Sequence, residues 1–102
     1  MVKVTIFYPN SPGAKFDMNY YTTSHMPMVQ RKVSTCKGIA AEKGLAGGAP
    51  GSAPTYIAIG HLLFDSVEAF ESAFAPHAPE ILADVPNYTN VQPILQINQI
   101  TL

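Results

Sequence analysis

Apolar and polar positions along the chain fall into six segments with different periods. Residues Val2 to Tyr8 are dense in β-branched and aromatic side chains and stop at the turn formers Pro9-Asn10-Ser11-Pro12-Gly13, which predicts a first strand and its exit loop. Phe16-Asp17 then opens a helix: Asp17 can cap it, and Phe16 can staple onto Tyr21. Tyr21, His25, Met28, Val29 and Lys32 recur at spacings of three and four and so share one helical face. Pro27 has no amide proton and clashes with the preceding turn, so the helix is expected to kink or restart near His25 and Met26. Lys37 to Ala46 and Thr55 to Phe64 read as two further strands joined by a Gly- and Pro-rich hairpin loop. Asp65, with Glu68 three residues on, is expected to cap a short helix that buries Val67, Phe70 and Phe74. Pro76 ends that helix, Pro79 starts another over Glu80 to Asp84, and Pro93 to Leu102 closes the chain as a last strand.

The order βαββαβ predicts an α+β fold, the ferredoxin-like plait: a four-stranded antiparallel sheet with both helices on one face and the first and third strands central. The third strand is apolar on both sides. Strand parity is taken to place Phe7, Tyr56, Leu62, Phe64, Leu95 and Ile97 together on the face that the helices leave open. A face that apolar calls for cover, and two sheets packed against each other in a homodimer would supply it and enclose a small apolar ligand. A single domain over residues 1–102 is expected.

Composition narrows the classes. The chain has 102 residues, 13% of them charged, with a formal net charge of -1; its six Lys and Arg are scattered and form no stripe for phosphates, which argues against nucleic acid. No apolar run is long enough to span a membrane and no leader pattern precedes the first strand, so a cytoplasmic protein is expected. The lone Cys36 cannot form an internal disulfide and has no feature that would make it a nucleophile.

The three histidines are the side chains that titrate near neutrality. His25 sits at the Pro27 break, one turn from Tyr21, and either ties down the loose carbonyls of a kinked helix or acts on a ligand. His77, between Pro76 and Pro79, is either a capping loop residue or a cavity contact. His61 shares a face with Ile57, Ile59 and Leu63 and is expected in the core. The three lie too far apart in sequence to suggest a metal site, and Gly44 to Gly51 lacks the context of a phosphate-binding loop, so no cofactor is implied. The run Asp84-Val85-Pro86-Asn87-Tyr88-Thr89-Asn90 either lines a cavity mouth or anchors the last strand through Asx-type turns.

With these segments in place, the chain resembles the EthD-like family of dimeric α/β-barrel proteins. The residues that carry the likeness are Phe16-Asp17-Met18-Asn19-Tyr20-Tyr21, then His25-Met26-Pro27-Met28-Val29, Tyr56 to Leu62, and Asp84 to Asn90. The resemblance implies a dimeric plait that handles a small organic compound, with His25 as the family histidine and Tyr21 and Tyr88 as orienting phenols. Proton exchange between His25 and an enolisable or phenolic group is the expected chemistry, with Phe7, Tyr56, Leu62, His77, Asn87 and Tyr88 as ligand contacts. The alternative is a non-enzymatic protein that sequesters such a compound or supports an oxygenase.

Overall fold

A computed structural model describes all 102 residues. Its sheet has the order β2-β3-β1-β4, all neighbours antiparallel, with β1 spanning Val2–Pro9, β2 Gly38–Lys43, β3 Tyr56–Phe64 and β4 Ile94–Gln99. The α+β plait, with β1 and β3 central, is as the element order implies. The helices lie across one face, where they bury Val2, Val4, Ile6 and Tyr8 of β1 and Ala58, Leu62 and Phe64 of β3.

The first helical stretch shows how local sequence shapes the site. Asp17 Oδ1 accepts the amide of Tyr20 at 3.0 Å, and Phe16 packs edge-on against Tyr21 with ring centroids 4.9 Å apart, so cap and staple both form. After one short turn, α1 (Met18–Tyr20), the backbone widens into a π-helical turn over Tyr21–His25 and then resumes as α2 (Met26–Lys32). The amide of Met26 reaches back five residues to Tyr21 O, and Pro27 has no amide to continue that ladder. The break foreseen at Pro27 therefore takes the form of a π turn, and it sets Tyr21 and His25 side by side on the inner face, rings stacked 5.6 Å apart at 14°.

The second helical stretch comprises α3 (Val67–Phe74), a 3-10 turn over Ala75–His77 and α4 (Ala78–Ala83). The cap of α3 is Ser66, whose Oγ accepts the Ala69 amide at 3.0 Å, and not Asp65. β3 ends at Phe64, and the extended backbone at Ser66 turns its hydroxyl, one residue further on, toward the free amides. After α4, a 3-10 turn over Val85–Asn87 leads to a polar strap: Thr89 Oγ1 donates to Lys15 O at 2.6 Å, and Asn90 Oδ1 accepts the Lys15 amide at 2.8 Å.

The register corrects the expected faces. Phe7 lies opposite Ile59 and Ile94, whereas Val4 lies opposite Leu62 and Ile97, and Ile6 opposite Gly60 and Leu95. Leu62, Phe64, Leu95 and Ile97 thus belong to the helix-covered face, not the open one. His61, expected in the core, faces the open side opposite Thr5, where its Nε2 meets Glu42 Oε1 at 3.1 Å and its Nδ1 meets Thr5 Oγ1 at 3.4 Å. Phe7 and Tyr56 do keep company on the open face, ring centroids 4.8 Å apart, because a register shift at Tyr8/Pro9 carries Tyr56 over. A strand apolar on both sides offers no pattern from which to choose a face; pairing alone chooses it.

Candidate functional site

Between the helices and the sheet lies a cavity of about 40 Å³, lined mostly by apolar side chains together with His25 and the phenols Tyr8, Tyr21 and Tyr88. It opens between α4 and the edge strand β4, where Leu82 and Leu95 are 52% and 44% exposed. The polar atoms at its wall form a chain. Tyr8 Oη and Tyr88 Oη are 2.7 Å apart, Tyr88 Oη lies 3.4 Å from His25 Nε2, and His25 Nδ1 is 2.8 Å from Asp84 Oδ2. Asp84 Oδ1 in turn accepts the Tyr20 hydroxyl at 2.7 Å and the Asn87 amide at 2.8 Å.

The chain fixes the protonation pattern. His25 is 4% exposed, and burial pushes its pKa below the ordinary 6.5, against the opposing pull of the Asp84 carboxylate. Burial alone would raise the Asp84 carboxyl, but hydrogen bonds from Tyr20, His25 and Asn87 outweigh it and hold the group below its usual 3.8. A neutral imidazole beside an ionised carboxylate places its proton on Nδ1, so Nε2 keeps its lone pair on the side of Tyr88 and the cavity. Burial also raises the pKa of all three lining phenols, so they remain neutral donors.

Tyr21 is fully buried, and its hydroxyl has no hydrogen-bond partner; burial, reinforced by the neighbouring Tyr8 hydroxyl, raises its pKa. That hydroxyl occupies the space where a side chain at position 60 would begin: a methyl group built on Gly60 would overlap it and would sit 3.2 Å from Tyr21 Cζ. Glycine at this position of β3 is what lets the hydroxyl tip of the Tyr21 ring reach the sheet backbone.

Acid stability follows from these shifts. Because the native pKa of His25 lies below 6.5, the unfolded chain binds a proton that the folded chain refuses, so stability falls as pH drops through 6.5 toward the native value. Asp84 contributes stability that is complete above 3.8 and is lost as pH falls through its lower native value. Denaturation midpoints measured between about pH 7 and 5 should decline, and His25→Gln should flatten that slope. An unchanged slope in the variant would refute the burial effect.

The structure brings together His25, Tyr21, Tyr88 and Leu62 at the cavity, with Asn87 one hydrogen bond removed through Asp84. It does not bring Phe7, Tyr56 or His77: the first two lie on the opposite face of the sheet, and His77, in the 3-10 turn between α3 and α4, does not line the cavity. Of the run after α4, Val85 and Tyr88 line the cavity, Asp84 and Asn87 stand behind His25, and Thr89 and Asn90 anchor the approach to β4 through long-range hydrogen bonds to Lys15 and Gly13. The pairing of Asp84 with His25, across 59 residues, was beyond sequence reasoning, as was the role of Tyr8. Gly60, a lone glycine inside an apolar strand, was the one overlooked signal of a close approach. No cluster of three or more His, Cys, Asp or Glu side chains is arranged to hold a metal ion, and no helix is long and apolar enough to cross a membrane.

Comparison with known proteins places this architecture. The sequence model of the EthD domain matches residues 14–92, which include the capped first helix, the Pro27 break and the strap. No curated protein matches the sequence significantly. Among solved structures, an EthD-like protein from Ralstonia eutropha JMP134 is 43% identical, with a TM-score of 0.94 over 99% of this chain and 92% of that one. An ethyl tert-butyl ether degradation (EthD) family protein from Bacillus halodurans C-125 is 17% identical, with a TM-score of 0.73 over 99% of both chains. A dimeric protein of unknown function with a ferredoxin-like fold, from Bacteroides fragilis NCTC 9343, shares the fold at 10% identity and a TM-score of 0.57, covering 97% of this chain and 95% of that one. The match across most of its length and the similarity to the Ralstonia protein establish that the chain belongs to the EthD family.

Proposed function

We propose that this protein takes a small organic compound into the cavity between its helices and its sheet, and that His25 exchanges a proton with it. The observation that supports this reading is the 2.8 Å contact of His25 Nδ1 with Asp84 Oδ2, which orients the imidazole in the wall of an apolar chamber and leaves Nε2 as its free basic nitrogen. An enolic or phenolic O–H, or a C–H next to a carbonyl, gives its proton to Nε2, and Asp84 stabilises the imidazolium that forms. Tyr88 and Tyr21 orient the compound through their phenols. At about 40 Å³ the chamber holds a group of a few atoms, so a larger occupant displaces Leu82 and Leu95 at the mouth.

His25→Ala should lower turnover of a validated substrate by roughly 10²–10⁴-fold, and turnover within twofold of the parent would overturn the proton-transfer role. Native mass spectrometry of gently isolated protein separates the alternative: a compound that stays bound while His25→Ala has no effect on its conversion would make this a sequestering protein.

The open sheet face is the second part of the reading. Phe7, Tyr56, Ile59 and Leu63 lie on it only partly buried, and Ile94 is 53% exposed, a patch suited to a second copy packed face to face. The Bacteroides relative is described as dimeric. Sedimentation at micromolar concentration should show a species of twice the chain mass, and Ile59→Asp should dissociate it. A parent protein that sediments as a single chain refutes the assembly without touching the cavity.

A further inference from the structure

We infer that the cavity selects uncharged, oxygen-bearing molecules and that the Tyr21 hydroxyl is the donor that meets their oxygen; this rests on the ligand-site reading above and narrows its substrate class. The six cationic residues, Lys3, Lys15, Arg31, Lys32, Lys37 and Lys43, are all absent from the lining. An anionic ligand would therefore enter without a counter-charge, and it would meet the ionised Asp84 across the width of one imidazole ring. Desolvating a carboxylate or phosphate in such a place is unfavourable however well its shape fits. A cationic ligand fares no better. The lining has no carboxylate of its own, and both oxygens of Asp84 are already taken by Tyr20, Asn87 and His25.

What the wall does offer is neutral hydrogen bonding. Tyr8 and Tyr88 are engaged with each other at 2.7 Å, whereas the Tyr88 contact to His25 is long at 3.4 Å and easily displaced. The Tyr21 hydroxyl is the one buried side-chain polar atom in the protein with no partner, and it belongs to a residue that lines the cavity. A buried donor left unpaired is unfavourable until an acceptor arrives, so a carbonyl or hydroxyl oxygen gains there what a hydrocarbon cannot.

Phenol, benzoate and benzylamine share a ring and differ in charge at neutral pH. In nitrogen-edited NMR titrations of the full chain, phenol should shift the signals of His25, Tyr88 and Leu82 and bind roughly tenfold more tightly than either charged probe. Tyr21→Phe should weaken phenol binding by about fivefold without lowering the melting temperature, because the hydroxyl forms no bond in the free protein. Leu82→Arg, which adds a cation at the exposed mouth, should bring benzoate to within about threefold of phenol. Benzoate or benzylammonium binding to the parent as tightly as phenol overturns the charge selection and leaves the ligand site standing. Unchanged phenol affinity in Tyr21→Phe overturns the role of that hydroxyl. Signals that no probe moves overturn the selection and the ligand site together.

Discussion

Gly60→Ala is expected to destabilise the protein by roughly 2 kcal/mol, lowering its melting temperature by about 10 °C, although it adds only one methyl group. The methyl would overlap the Tyr21 hydroxyl, with Tyr21 Cζ at 3.2 Å and Ile6 Cδ1 at 3.5 Å closing the remaining sides. Tyr21 cannot retreat, because Phe16, Tyr8, His25 and Tyr88 all pack around its ring at centroid distances of 4.9 to 5.6 Å. Removing the hydroxyl removes the worst overlap and leaves contacts that small shifts accommodate. Tyr21→Phe in the Gly60→Ala background should therefore recover at least ~1 kcal/mol, a coupling that thermal unfolding of the four proteins measures as a double-mutant cycle. Strict additivity of the two changes would mean that the ring does not rest on Gly60. The steric niche and the unpaired hydroxyl are two sides of one arrangement: the glycine admits the ring to a place where the backbone of β3 offers its hydroxyl no acceptor.

Asp84→Asn should produce the second large effect, about 2 kcal/mol of lost stability together with a further fall in the pKa of His25. The carboxylate receives three donors, from Tyr20, Asn87 and His25, and an amide in its place turns its own N–H groups toward at least one of them. The charge that pulls the His25 pKa upward disappears at the same time, so burial acts on the imidazole unopposed. Differential scanning calorimetry reads the first effect, and an NMR titration of the His25 ring reads the second. A His25 pKa that rises in the variant would show that Asp84 is not its controlling partner. Under the proposed chemistry the same substitution also costs turnover, since the imidazolium formed on proton uptake loses its counter-charge.

The candidate site is built from parts of the chain that local pattern reading handles very unequally. The Asp17 cap, the Phe16 staple and the break at Pro27 depend on neighbours within five residues, and each formed where the sequence indicated. That Tyr21 and His25 share a face follows from their spacing of four, and the π turn preserves it. The cap of α3 illustrates the limit of such reading even over one residue. Asp65 and Ser66 are both competent caps, and the point where β3 leaves the sheet selects between them.

Element order, the central position of β1 and β3, and a titratable histidine beside a helix break were all determined by sequence, because strand propensity, helix period and proline chemistry act over short stretches of chain. Which face of β3 the helices cover, the closure of His25 onto Asp84 at the far end of the chain, and the position of the chamber between helices and sheet were decided only in the tertiary structure. The reason is physical. A strand apolar on both sides is equally satisfied in either orientation until its partners pair with it, and two side chains 59 residues apart acquire an interaction only once the sheet and both helical stretches have packed.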